Sequence, residues 1–422
     1  MGPNGPLENT WTVGSVASLK LASVQRAHND DVVALAVSSD GTRAASVDAT
    51  GRLDVTDLQT GVSQSSGGSS ADRAFMQWAA TLGASAICFT HDRQYVLAGG
   101  RDGVTRLLHV ERGATSREWE NSAARAALQR TSYFLRDEIG GPGHGITQLS
   151  MGTRDDSFLA CDAGGVLGIF DLRTPGRAQM QMDGECSRVE AAFTPEGSVL
   201  GVLRGTDAND VYRRMYGTGT VNELLVYDIR RADLAQAGPV STVAIDAHDA
   251  SNLRFSASGV LMLLLHDYAD PLAQPSELVV YDALDFAVLS RIPISSNHGM
   301  NAHNQHTGAA PTRFTCAEFS PECRFAAAGS SNGMLQMFEI EDALQSQTQP
   351  RLILSAKKHP LPIRALKFSP WYPVLVTACQ NIGIWTPDPS HKPTPQSSNG
   401  IFAQVEPEYK SNNLYAGLDG FA

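Results

Sequence analysis

Positive charge is scarce in this 422-residue chain: 33 Lys and Arg face 44 Asp and Glu, for a formal net charge of -11. A direct nucleic-acid binder needs a basic face to displace counterions from phosphate, so the balance argues against that class and against electrostatic attachment to an anionic membrane. Cysteine is sparse as well. Cys88, Cys161, Cys186, Cys316, Cys323 and Cys379 include no CxxC pair, which excludes a zinc ribbon and a thioredoxin-like redox pair and fits a reducing compartment. Long apolar runs are missing. The densest, Val260 to Leu265, is about a third of the ~20 residues that a membrane helix needs. The opening MGPNGPLENTW lacks the basic start and apolar stretch of a secretory signal. The expectation is a soluble intracellular protein. There is no HExxH and no Gly-Lys dipeptide, hence neither a zincin helix nor a P-loop.

What the chain does have is a hydrophobic fraction of 42%, ample for a core, and a recurring unit. An alternating strand is followed by a Ser/Thr-Pro or Ser-Asp-Gly turn, a strand of small and apolar residues, a tight turn, and a strand ending aromatic-Asp. The first copy runs from Val32 through Ser39-Asp40-Gly41 to Asp57, and the second from Ala86 to His109. The third spans Ile146 to Asp171, the fourth Val189 to Asp228 and the fifth Leu253 to Asp282. The sixth spans Cys316 to Glu339 and the seventh Ile363 to Trp385. Period-2 alternation marks strands with one buried face, and Pro, Gly and Asp supply the turn geometry. The copies are spaced more widely than the ~40–45 residues of a simple four-stranded blade, so several carry insertions. These fall near residues 62–80, 116–143, 205–222, 266–276 and 295–311. Ser116 to Asp137 is compatible with a helix.

One such sheet cannot bury both faces, whereas seven arranged radially can. The expected fold is therefore all-β, a seven-bladed β-propeller over 19–389. Residues 1–18 and 390–422 would be flexible ends. The seventh copy lacks a fourth strand after Trp385, and Leu19 to Val24 reads as a strand before the first copy. That N-terminal strand is expected to complete the last blade and close the ring.

At these residues the chain resembles the WD-repeat family. The aromatic-Asp ends are Phe170-Asp171, Tyr227-Asp228 and Tyr281-Asp282, with Phe338-Glu339 and Trp385-Thr386 as weaker copies. Only His28 and His144 stand near the usual Gly-His position. A closer resemblance covers Phe158 to Pro175, Phe193 to Gly197, Ile363 to Pro370 and Thr377 to Trp385, with Ser39 to Gly41 and Asp57 to Gly61. These stretches are similar to the WD-repeat subunit shared by COMPASS-type histone lysine methyltransferase and PNUTS–protein phosphatase 1 complexes. The truncated last blade, with Ala378-Cys-Gln-Asn381 before the Trp strand, is the most specific feature. The resemblance implies a nuclear, non-catalytic scaffold without cofactors, monomeric within its complex. Its partners would be a SET-domain methyltransferase, or a PNUTS-like scaffold with protein phosphatase 1, touching RNA polymerase II indirectly in histone methylation or transcription termination.

Candidate chemistry is thin. Gly329-Ser330-Ser331-Asn332-Gly333 spells GxSxG, but its flanks read strand–turn–strand, not the strand-to-helix elbow that exposes a nucleophile. His298, His303 and His306 cluster without regular metal spacing and read as a loop between blades. Cys316 and Cys323 read as structural thiols. His28, Asp57, Asp102, His144, Asp171, Asp228, Asp282 and Trp385 are taken as structural repeat positions. Tyr212, Arg213, Arg214 and Tyr216 combine aromatic and guanidinium groups of the kind enriched at interface hot spots, and are the candidate partner contact. No Arg/Lys-Val-x-Phe phosphatase-docking motif occurs, so a phosphatase would be reached through a third subunit. Two other classes compete. A propeller hydrolase needs carboxylates and histidines converging from the innermost strands, which here carry mainly Val, Ala, Leu, Cys and Phe. A WD-repeat adaptor of another complex, such as RNA processing, is the alternative; an autophagy adaptor would carry Phe-Arg-Arg-Gly, absent here.

Overall fold

The computed structural model describes residues 11–26, 28–62, 84–111, 115–120, 145–152, 157–163, 165–174, 180–182, 188–205, 222–230, 238–268, 274–294, 311–341, 344 and 348–388. A short helix, α1 (Val13–Ala17), and strand β1 (Leu19–Gln25) come first. Blade 1 holds β2 (Val32–Val37), β3 (Arg43–Asp48) and β4 (Leu53–Asp57). Blade 2 holds β5 (Ala84–Phe89), β6 (Tyr95–Gly100), β7 (Val104–His109) and β8 (Thr115–Glu120). Blade 3 holds β9 (Ile146–Met151), β10 (Ser157–Asp162), β11 (Leu167–Asp171) and β12 (Met180–Met182). Blade 4 holds β13 (Arg188–Phe193), β14 (Val199–Gly205), β15 (Asn222–Asp228) and β16 (Ser241–Ile245). Blade 5 holds β17 (Asp249–Phe255), β18 (Leu261–Asp267), β19 (Glu277–Asp282) and β20 (Val288–Pro293). Blade 6 holds β21 (Phe314–Phe319), β22 (Phe325–Ser330), β23 (Met334–Glu339) and β24 (Arg351–Lys357). Blade 7 holds β25 (Ala365–Phe368), β26 (Leu375–Ala378) and β27 (Ile382–Pro387).

Each blade is an antiparallel meander, and the expected seven-bladed propeller is borne out. The innermost strands β2, β5, β9, β13, β17, β21 and β25 touch in that order and β25 returns to β2. The seam is sealed by β1, which pairs with β27 from Leu19↔Pro387 to Gln25↔Ile382, as the sequence led one to expect. Among the described residues blade 1 has three strands and the other sheets four.

The core is not one mass but seven apolar seams, one between each pair of adjacent blades. In blades 2 and 6 the second strands carry small residues, which let the next blade approach closely. A Cβ on Gly329 would sit 2.7 Å from Ile363 of the next blade, and one on Gly99 would sit 2.5 Å from Ile146 in the same relation. The Ser/Thr of the recurring turn explains why that residue type repeats. Arg43, Tyr95, Val199, Leu261 and Phe325 each donate their backbone N–H to the hydroxyl of Ser38, Thr90, Thr194, Ser256 and Ser320, closing the hairpin between first and second strands.

Three expectations need correction. Residues 11–18 are not a loose end: Thr12 caps α1, Val16 is fully buried, and Trp11 stacks edge-on against Phe368 at 5.2 Å. An apolar residue pair next to an uncovered blade seam outweighs the polar composition around it. Ser116 to Glu120 belongs to strand β8, not a helix; Trp119 is buried there and its indole N–H donates to Asp171 and Thr174 carbonyls, both at 3.1 Å. His266 and Asp267 likewise extend β18 rather than opening an insertion, because His266 is buried against Tyr281.

Candidate functional site

The repeat-position residues form two matching networks. His28 is buried, with Nδ1 at 3.2 Å from the Asp48 carboxylate and Nε2 at 2.7 Å from the Ser46 hydroxyl. Asp48 in turn accepts from Thr50 and Arg52, so it locks the tight turn to β4. Burial lowers the His28 pKa, opposed by the Asp48 charge. Blade 7 repeats this geometry with His359, which the sequence reading missed. Its Nε2 lies 2.7 Å from the Thr377 hydroxyl and its Nδ1 3.2 Å from the Cys379 sulfur. Trp385 completes this group by donating its indole N–H to Thr377 over 2.8 Å. The sequence separations are 18 and 20 residues in both networks, and that equality was the available signal. These groups are satisfied internally and sit between strands, away from the axis.

The aspartates hold turns. Asp57 accepts backbone N–H groups from Gln59 and Thr60, which, with the Thr60 hydroxyl, lower its pKa. Asp171, Asp228 and Asp282 accept from Arg173, Arg230 and Leu284, each two residues on. Asp102 accepts from Val104 and forms a two-point ion pair with Arg106, which also reaches Glu118 at 3.0 Å. None of the five is paired with a second carboxylate in a catalytic geometry in these contacts.

The axis of the ring encloses a cavity of about 960 Å³ walled by all seven innermost strands. Counting back two residues from the recurring turn gives one wall position per blade: Ala36, Cys88, Ser150, Ala192, Arg254, Glu318 and Lys367. Blades 1, 2 and 4 thus present small or apolar groups, while blades 5, 6 and 7 present three consecutive charges. Glu318 ion-pairs with Lys367 and lies 3.5 Å from Arg254. Burial pulls the Lys367 ammonium below its ordinary value, and Glu318 opposes that. Two side-chain amides brace the same wall. Gln148 donates to the Ala191 carbonyl at 2.9 Å and accepts its N–H at 2.8 Å. Asn252, in a left-handed conformation at φ 62°, does the same to Ala317 at 2.9 and 3.2 Å. The inner strands are therefore less apolar than their composition suggested; the sequence reading weighed whole strands, whereas alternation sends the polar residues to the axis.

At one mouth of the cavity the first-to-second-strand turns are stitched together. Trp371 donates its indole N–H to Ser39 at 2.6 Å, Ser39 donates to His91 at 2.9 Å, Arg93 pairs with Asp40 at 2.8 Å, and His91 meets the Gly152 carbonyl at 2.7 Å. Blades 7, 1, 2 and 3 are joined by this chain. Trp371 nevertheless exposes 63% of its surface and Tyr372 39%, on an edge of the mouth beside Pro370.

Tyr212, Arg213, Arg214, Tyr216, His144, His298, His303, His306 and Cys186 lie outside the described residues. Among the described residues no group of three His, Cys, Asp or Glu is placed to hold a metal ion, and no helix is long and apolar enough to cross a membrane. Ser331 occupies a turn between β22 and β23 and accepts from the Arg313 N–H, so the GxSxG segment is a hairpin. Burial raises the thiol pKa of Cys88 and Cys316 to about 12. Cys316 is buried and Cys323 half-buried.

No protein-family model matches the chain. The chain is similar to WD repeat-containing protein 82 of Drosophila melanogaster, at 24% identity over 254 residues. The match spans 58% of this chain and 65% of the relative. With the seven blades, this likeness supports a WD-repeat propeller.

Proposed function

We propose that the chain is a non-catalytic WD-repeat scaffold of a nuclear chromatin or transcription complex. The observation that carries the scaffold reading is the closed ring itself: seven seams, a sealing strand and a stitched loop face make a stiff disc with a solvent-facing aromatic edge. Rigid surfaces bind partners with little ordering cost. The repeat-position histidines and aspartates of the blades are held in turns and strand networks, and loops on such scaffolds carry the recognition.

The finer reading rests on resemblance. Ala378-Cys-Gln-Asn381 forms the turn between β26 and β27, where the Asn381 N–H approaches the Cys379 sulfur at 3.5 Å and His359 packs beside it. The similarity to a WD repeat-containing protein supports the propeller scaffold on which this reading builds. In this reading the chain joins a SET-domain methyltransferase, or protein phosphatase 1 held by a PNUTS-like scaffold, to transcribing RNA polymerase II. Methyl transfer and phosphate release belong to those partners.

Affinity purification of the tagged chain with mass spectrometry tests this. Recovery of a SET-domain methyltransferase, or of protein phosphatase 1 with a large scaffold, is expected. Recovery of neither, with a cytoplasmic location, contradicts the nuclear assignment.

A further inference from the structure

Three carboxylates, Asp162, Glu190 and Glu318, and three cations, Arg254, Arg364 and Lys367, line the axial cavity, but two of the cations crowd one carboxylate. Most charged groups on it are occupied. Glu190 accepts the Leu253 N–H at 3.1 Å, Asp162 accepts the Val166 N–H at 2.8 Å, Arg364 faces Asp31 at 3.4 Å, and His91 meets the Gly152 carbonyl. Arg254 and Lys367 instead converge from opposite sides on one carboxylate, Glu318. A terminal guanidinium nitrogen of Arg254 donates to the Leu253 carbonyl at 2.8 Å, while its Nε is buried, makes no hydrogen bond among the described residues and meets Glu318 at 3.5 Å as an ionic contact. Two cations share one anion inside a walled cavity, where charge is less screened than at an open surface.

We propose that this row is a carboxylate-binding site for an acidic partner peptide. An Asp or Glu side chain enters the axial cavity by the mouth that Pro370 and Pro321 line, and joins Arg254 and Lys367 as their second anion. The small wall residues Ala36, Cys88 and Ala192 across the axis leave the room it needs. The neighbouring apolar residue of the peptide lies on Trp371, whose ring is held in place by its bond to Ser39 while its face stays open. The site deepens the scaffold reading by naming the chemistry of one partner, and rests on it for its biological use.

The test is a ligand-observed NMR titration of the full chain with the synthetic peptide Gly-Leu-Glu-Leu-Gly and its Gln twin. The Glu peptide is expected to bind about tenfold more tightly, with the preference shrinking as salt rises. Lys367→Gln and Arg254→Gln should each erase the preference. Glu318→Gln should strengthen it severalfold, because both cations are released toward the ligand; a merely structural row would not give that sign. A melting scan shows that each variant is folded, and if one of them unfolds the remaining two decide. Equal binding of the two peptides, no binding, or weaker binding by folded Glu318→Gln overturns the site. A failed titration leaves the scaffold reading standing, and a purification without partners leaves the titration result standing.

Discussion

Leu21 of β1 lies directly opposite Trp385 of β27, so a strand that precedes blade 1 forms the outer edge of blade 7. The same stretch brings α1 and Trp11 onto the seam between blades 6 and 7, where Trp11 joins Phe325, Leu366 and Phe368 in one apolar cluster. Closure and packing therefore depend on one short segment.

Trp11→Ala is expected to destabilise the ring by about 3–5 kcal/mol, the usual cost of removing a large aromatic from a buried site. Its residual exposure is 2%. Urea unfolding followed by circular dichroism measures it. An unchanged midpoint would mean that α1 is peripheral.

The amide clasps should act independently. Removing Asn252 leaves the Ala317 N–H and carbonyl without the bonds at 3.2 and 2.9 Å, and removing Gln148 does the same to Ala191. Each change to Ala is expected to cost about 1–3 kcal/mol, the penalty for stranding polar groups of the buried Ala317 or Ala191. They brace different blade pairs, so the double variant should show the sum. A strongly sub-additive double variant in the same unfolding assay would contradict two separate braces.

Acid should weaken the fold through buried histidines. Burial lowers the pKa of His359 and of His266 from 6.5 to about 4. The unfolded chain then holds the extra proton at intermediate pH. Stability is full above pH 6.5 and is lost as pH falls toward 4, by at most about 1.4 kcal/mol per pH unit per histidine. His359→Gln should flatten that slope relative to the parent. A parallel slope in unfolding curves taken across the window would show that His359 titrates normally.

Gly333→Ala tests the blade 6 hairpin. Gly333 has φ +81°, and a Cβ there would lie 2.1 Å from the His359 carbonyl oxygen. Backbone cannot withdraw as a flexible side chain can. The expected cost is about 1–3 kcal/mol from the strained conformation alone, with the clash adding to it. A melting temperature within error of the parent would show that the turn is loose.

Much of the ring was legible because each turn announces itself. Ser320-Pro321 and Ser369-Pro370 need their hydroxyls and fixed φ to close hairpins, so turn chemistry survives where other repeat residues have changed. The outer strands were less legible. In β8, Thr115 to Glu118 are exposed and polar, and only Trp119 reveals that the segment packs on a blade. His359 escaped notice because Cys379 stands where blade 1 has Asp48, although the spacing to Thr377 is the same as from His28 to Ser46. The axial row was hidden for a different reason. Arg254, Glu318 and Lys367 come from three blades, and each alone looks like an ordinary polar strand residue. Only register against the turn aligns them.

Hydrogen–deuterium exchange over Leu19–Gln25 tests the closed ring most directly, since a sealing strand must share the protection of the blade it completes. The account expects its amides to exchange as slowly as those of Ile382–Pro387, both opening only with the whole blade. Rapid exchange over Leu19–Gln25 beside a protected Ile382–Pro387 would contradict it, leaving an open disc with a bare seventh-blade edge.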